Sequence, residues 1–157
     1  MKRNTLGLAV RAVGMSVLTL ALASGVATAH TTIWPRESMA GAMEKYTVRV
    51  PAESQVMSKG AELEVPEGVI VQTIGAPAGW RYDVKRQDDR IVGIRWYMDI
   101  KPGEFAEFTF VARNPQNQNQ LVWKLREFFD DGKVTDFTHG PQGIYPNAVV
   151  KLIPNRE

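Results

Sequence analysis

"EKYTVRV", Glu44–Val50, alternates without a break. Glu44, Tyr46, Val48 and Val50 fall on one face of an extended chain, and Lys45, Thr47 and Arg49 fall on the other. Period-two alternation of this kind reads as a half-buried strand, and Pro51 ends it. The pattern then recurs along the chain. "AELEV" (Ala61–Val65) alternates and turns at Pro66-Glu67-Gly68. "VIVQTI" (Val69–Ile74) follows, and then the loop "GAPAG". "WRYDVK" (Trp80–Lys85) and "IVGIRWYM" (Ile91–Met98) flank Gln87-Asp88-Asp89 as a hairpin. "KPGE" leads into "FAEFTFVA" (Phe105–Ala112), and Asn114–Gln120 is a polar loop. "LVWKLREFF" (Leu121–Phe129) runs to the turn "DDGK", and "VTDFTH" (Val134–His139) returns from it. "AVVKLI" (Ala148–Ile153) is the last strand.

These are roughly nine or ten short strands with a turn about every ten residues, and no stretch carries a helical period. The fold expected is all-β: an antiparallel two-sheet β-sandwich, immunoglobulin- or cupredoxin-like.

The first 29 residues have a different character. Lys2, Arg3 and Arg11 form a basic region before an apolar stretch, Val13–Val26, and Ala27-Thr28-Ala29 places small residues where a signal peptidase reads them. Residues 1–29 are therefore expected to be a cleaved secretory signal. Residues 30–157 would be one domain, periplasmic or secreted, with no membrane span after cleavage. Cleavage removes three basic residues and no acid, so the formal charge moves from +2 to −1. No basic cluster remains to hold nucleic acid. The chain has no cysteine, which excludes disulfides and thiolate chemistry. It has only two histidines, and no nucleophile–base pair is legible beside them.

Cleavage after Ala29 would make His30 the first residue. A terminal histidine offers its free amine and its imidazole Nδ1 to one ion. Nitrogen donors in a flat arrangement suit Cu(II). The plainer reading is an exposed residue left where the signal ended. A third ligand would be acidic. Glu44 ends an apolar stripe, Glu107 lies between Phe105 and Phe108, and Glu127 shares a face with Trp123 and Leu125. Each of these can equally be an edge or ion-pair residue.

Taken in order, "AHTTIWP", "AGAMEKYTVRVP", Gly79-Trp80, "PGEFAEF", "WKLREFFDDG" and "YPNAVVKLI" resemble the YcnI-like domain family of bacterial envelope proteins. The resemblance implies a sandwich that binds Cu(II) through a mono-histidine brace completed by a glutamate. Carried onto this chain, the histidine is His30 and the glutamate falls on Glu44, with Glu107 in reserve. The role implied is copper storage, delivery or homeostasis, alongside other copper-handling envelope proteins. The family usually places a tryptophan after the D-G hairpin in a W-T-G-P context. Here the segment is "DFTHGP": Phe137 stands in for the tryptophan, and His139 is an added residue that could supply another nitrogen.

Two other functions compete with a non-enzymatic copper carrier. One is a metal-free structural or protein-interaction sandwich, in which His30 is exchangeable for alanine. The other is a copper monooxygenase-like enzyme using His30 and His139, which an ascorbate-driven oxidation dependent on both histidines would reveal.

Overall fold

A computed structural model describes residues 30–52, 54–140 and 142–155. The expected signal, 1–29, lies outside the described residues. The strands in chain order are β1 (Thr32–Trp34), β2 (Glu37–Met39), β3 (Met43–Pro51), β4 (Ser58–Glu64) and β5 (Ile70–Ile74). They continue with β6 (Arg81–Gln87), β7 (Arg90–Ile100), β8 (Phe105–Arg113), β9 (Gln120–Val122) and β10 (Lys124–Phe129). The last are β11 (Val134–Asp136), β12 (His139–Gly140), β13 (Gly143–Ile144) and β14 (Val149–Ile153).

Two main sheets face each other, in the orders β1-β3-β8-β5 and β11-β10-β4-β7-β6. A three-stranded sheet, β2-β14-β9, and the small β12-β13 ladder complete the described strands. All pairings are antiparallel except β2 with β14, which is parallel. The all-β antiparallel sandwich expected from the alternation is what forms.

The opening strand behaves as its pattern requires. Tyr46, Val48 and Val50 are wholly buried, and Lys45 and Arg49 are exposed. Across the core, Trp96 of β7 stacks on Phe108 of β8 with ring centroids 4.8 Å apart. Trp123 meets Tyr46 at 5.1 Å and Phe110 at 5.4 Å. One glycine is required by a close approach. Gly60 has φ +131°, and a Cβ there would overlap the Trp96 carbonyl oxygen across a register shift between β4 and β7. Only glycine adopts that backbone without strain.

Two segments depart from the sequence reading. Leu121–Phe129 is not one strand. It breaks at Trp123, so that β9 pairs with β14 while β10 pairs with β4 in another sheet. At the break the Trp123 N–H donates to the Ala148 carbonyl (2.8 Å), and its indole is fully buried. The chain switches sheets there to bury that ring, which alternation alone does not record. The return strand stops at Asp136 rather than running to His139. The Thr138 N–H donates back to Asp136 Oδ1 (2.7 Å), a side-chain turn that competes with the ladder. Phe137 and His139 therefore do not share a strand face. Phe137 packs against the core, and His139 is exposed and pairs with Ile144.

Candidate metal centre

His30 lies just before β1, whose register fixes which end of the sandwich it occupies. Thr32 pairs with Arg49 and Ile33 with Val48. His30 is two residues before Thr32, so it lies at the Val50–Pro51 end of β3. Its imidazole is held between two aromatic rings, Tyr145 at 4.8 Å and Phe137 at 5.7 Å between centroids. Its Nδ1 is buried and has no hydrogen-bond partner among the described residues. A buried polar nitrogen left unanswered is costly. An ion at Nδ1 would answer it, and Nδ1 is the ring atom that lies within chelating reach of the residue's own main-chain nitrogen. In the chain as written, that main-chain nitrogen is a peptide nitrogen bonded to Ala29.

Glu44 occupies the other end of β3. It pairs with Ala112, five residues before Arg49 along the strand, which is on the order of 17 Å of extended chain. The same sequence feature that singled it out, an acid at the end of an apolar stripe, is satisfied locally. Its Oε2 accepts from the Ser38 hydroxyl (2.7 Å), and its Oε1 accepts from the Lys45 N–H (3.0 Å). Behind Ser38, the Asn114 amide donates to Ser38 Oγ (2.9 Å) and to the Met39 carbonyl (2.9 Å). Asn114 Oδ1 in turn accepts from the Tyr46 hydroxyl (2.6 Å). Burial pushes the Tyr46 phenol up to about 12; the bond to Asn114 opposes that shift and the Glu44 charge adds to it. The chain from Tyr46 to Glu44 is thus a connected polar network closing one mouth of the sandwich.

Glu107 points outward. Its carboxylate pairs with Arg49 at 2.7 Å, and both side chains are exposed. Glu127 differs from both. It is 1% exposed and faces the core with Leu125, while Lys124 on the opposite face is exposed. Its place follows from two rows of the sandwich. Trp123, just before β10, sits over Tyr46 and Phe110. Four residues on, Glu127 pairs with Ala61, which pairs with Trp96, and Trp96 stacks on Phe108. Phe108 pairs with Val48, and Val48 with Ile33. From Trp123 to Glu127, β10 therefore runs toward the end where His30 lies. The Phe137 N–H donates to the Leu125 carbonyl (2.7 Å), which brings the Phe137 ring from β10 to His30. The structure thus sets Phe137 against His30, places buried Glu127 on the half of the sandwich toward His30, and leaves Glu44 at the other end.

Sequence reasoning missed Tyr145 and Thr138. Thr138 is wholly buried; its hydroxyl donates to the Trp123 carbonyl (3.2 Å) and accepts from the Leu125 N–H (2.8 Å). Its carbonyl accepts from the Tyr145 N–H (2.9 Å). The signal for Tyr145 was the dipeptide Tyr145-Pro146, since a residue before proline is biased to an extended backbone. Among the described residues, no three His, Cys, Asp or Glu side chains converge.

A family model described as a domain of unknown function, DUF1775, matches residues 30–151. The chain belongs to that family. The match begins at His30. The copper-binding protein CutI of Bacillus subtilis (strain 168) is 30% identical over 129 residues, which are 80% of this chain and 63% of that protein. The chain therefore spans somewhat less than two thirds of that relative's length. Together these findings bear out the YcnI-like membership expected from the motifs. A crystal structure from Nocardia farcinica, of an uncharacterized protein with an immunoglobulin-like fold, superposes with a TM-score of 0.63 at 25% identity. It covers 78% of this chain and 97% of its own. The family member thus shares its architecture with an immunoglobulin-like sandwich and its sequence with a copper-binding protein. Among the described residues, no helix is long and apolar enough to cross a membrane.

Proposed function

We propose that this DUF1775 protein is an exported, non-enzymatic copper-binding protein that stores or delivers copper outside the cytoplasm. Its cargo is Cu(II), taken by the His30 imidazole and by the amine that cleavage after Ala29 sets free. Glu127 is the carboxylate that completes the set. The observation that carries this reading is the buried His30 Nδ1 without a hydrogen-bond partner among the described residues, on the side of the sandwich toward which the buried Glu127 lies. Two kinds of support stand beside it: the family match from residue 30, and the relative whose name is copper-binding protein. The register favours Glu127 over Glu44, because Glu44 stands at the far end of β3 and already serves Ser38.

The chemistry asks little of the protein beyond placement. Two nitrogens of one residue close a chelate, and a carboxylate beside them neutralises charge in a low-dielectric setting. The amine must be unprotonated to bind. With a reference pKa of about 8, affinity rises as pH climbs through that region.

The test is a Cu(II) titration of the mature chain beginning at His30, followed by electron paramagnetic resonance. A second chain carries one extra alanine before His30. We expect one equivalent with a nitrogen-rich tetragonal signal in the first, and loss of at least about a hundredfold in affinity in the second. Equal binding by both would end the proposal. Mass measurement of the exported protein checks the cleavage point: a chain that does not begin at His30 has no amine to give.

A further inference from the structure

Two aromatic rings stand against the His30 imidazole. Phe137 covers one side at 5.7 Å, but the closer ring is Tyr145, at 4.8 Å and tilted 49° to the imidazole. Tyr145 is anchored on both sides by main chain. Its N–H donates to the Thr138 carbonyl (2.9 Å), and its carbonyl accepts from the Ala148 N–H (3.0 Å) across the 3-10 turn Pro146–Ala148. Pro146 restricts its backbone to the extended form observed, φ −67°, ψ 136°. Thr138, the other end of that anchor, is itself tied to β10 by two hydrogen bonds of its hydroxyl. The ring against His30 is therefore fixed to the same strand that carries Glu127.

We infer that Tyr145 is the positioning residue of the His30 site: its ring, clamped through Thr138 to β10, holds the imidazole with Nδ1 turned inward before any metal arrives. The inference rests on the copper reading for its functional consequence, but the clamp is a property of the metal-free protein. A terminal histidine has free rotation about two side-chain bonds. Ordering a rotamer-rich side chain on binding costs enough to weaken affinity by about two- to tenfold. A ring already held avoids that loss. The contact recorded is between the two rings, so the clamp predicts that the ring is needed and the phenol hydroxyl is not.

The experiment uses the mature chain in three forms: unchanged, Tyr145→Phe and Tyr145→Leu. Leucine keeps apolar bulk and removes the ring; circular dichroism confirms that each form is folded. In the metal-free proteins, nuclear magnetic resonance follows the His30 ring protons. A ring 4.8 Å away shifts them by its ring current. We expect that shift in the unchanged and Tyr145→Phe proteins and its loss in Tyr145→Leu. Cu(II) titration of the same samples should give near-equal affinity for the first two and roughly two- to tenfold weaker binding for the third. An unchanged His30 shift in Tyr145→Leu overturns the clamp. So does equal weakening by Tyr145→Phe, which would assign the effect to the hydroxyl. If the unchanged protein binds no copper while the shifts behave as expected, the copper proposal fails and the clamp stands.

Discussion

The two ends of β3 pose the same sequence problem and solve it differently. At the Glu44 end, polar groups near the core answer one another in a chain: Tyr46 to Asn114, Asn114 to Ser38, Ser38 to Glu44, Glu44 to the Lys45 N–H. At the His30 end, the imidazole is wrapped in aromatic rings and Nδ1 has no partner among the described residues. A satisfied network is what structure alone requires. An unanswered nitrogen beside two aromatic rings is one that a ligand could answer. The contrast shows that a carboxylate beside an apolar stripe is no pointer to a metal until its partners are counted.

The largest way to sharpen the contrast is alkaline unfolding of the Glu44 end. The Tyr46 phenol is raised to about 12, chiefly by burial, while its unfolded value is about 10. The folded state therefore favours the protonated form. Its contribution is complete below pH ~10 and is lost as pH rises through the folded value, at about 2–3 kcal/mol in all. Denaturant titrations between pH 9 and 12 should show that decline, and Tyr46→Phe should flatten this part of it. A decline of the same size in Tyr46→Phe would remove Tyr46 as its source.

A smaller effect decides between the two glutamates. Glu127→Gln should weaken Cu(II) binding by on the order of tenfold and change the paramagnetic spectrum. Glu44→Gln should leave affinity and spectrum alone and cost about 1 kcal/mol of stability through its bond with Ser38. The reverse result would mean that the metal lies at the other end of the strand. Smallest is Glu107→Gln. Its pair with Arg49 is solvent-exposed, so its loss should cost under about 0.5 kcal/mol and leave copper binding unchanged. Any larger copper effect there would bring the outer face of β3 into the site.

Much of this was legible before the fold was seen. Period-two alternation is local, so Tyr46, Val48 and Val50 announced a core face and Lys45 and Arg49 a wet one. The same rule placed Glu127 beside Trp123 and Leu125, and it is buried with them. Alternation failed where side chains overrode the ladder. Trp123 carries the chain from one sheet to another, and Thr138 bonds back to Asp136 and across to β10. Neither event leaves a periodic trace.

What the sequence by itself determined is therefore the all-β architecture, the faces of the long strands and the family, and it singled out His30 as a candidate. What only the tertiary structure decided is which acid and which rings share an end with that histidine. The reason is physical. The side a residue faces is set by its neighbours two positions away, but the end it occupies is set by the pairing of β1 with β3 and by the packing of one sheet on the other. Those contacts join residues far apart in the chain, such as His30 with Tyr145, and they exist only once the sandwich has closed.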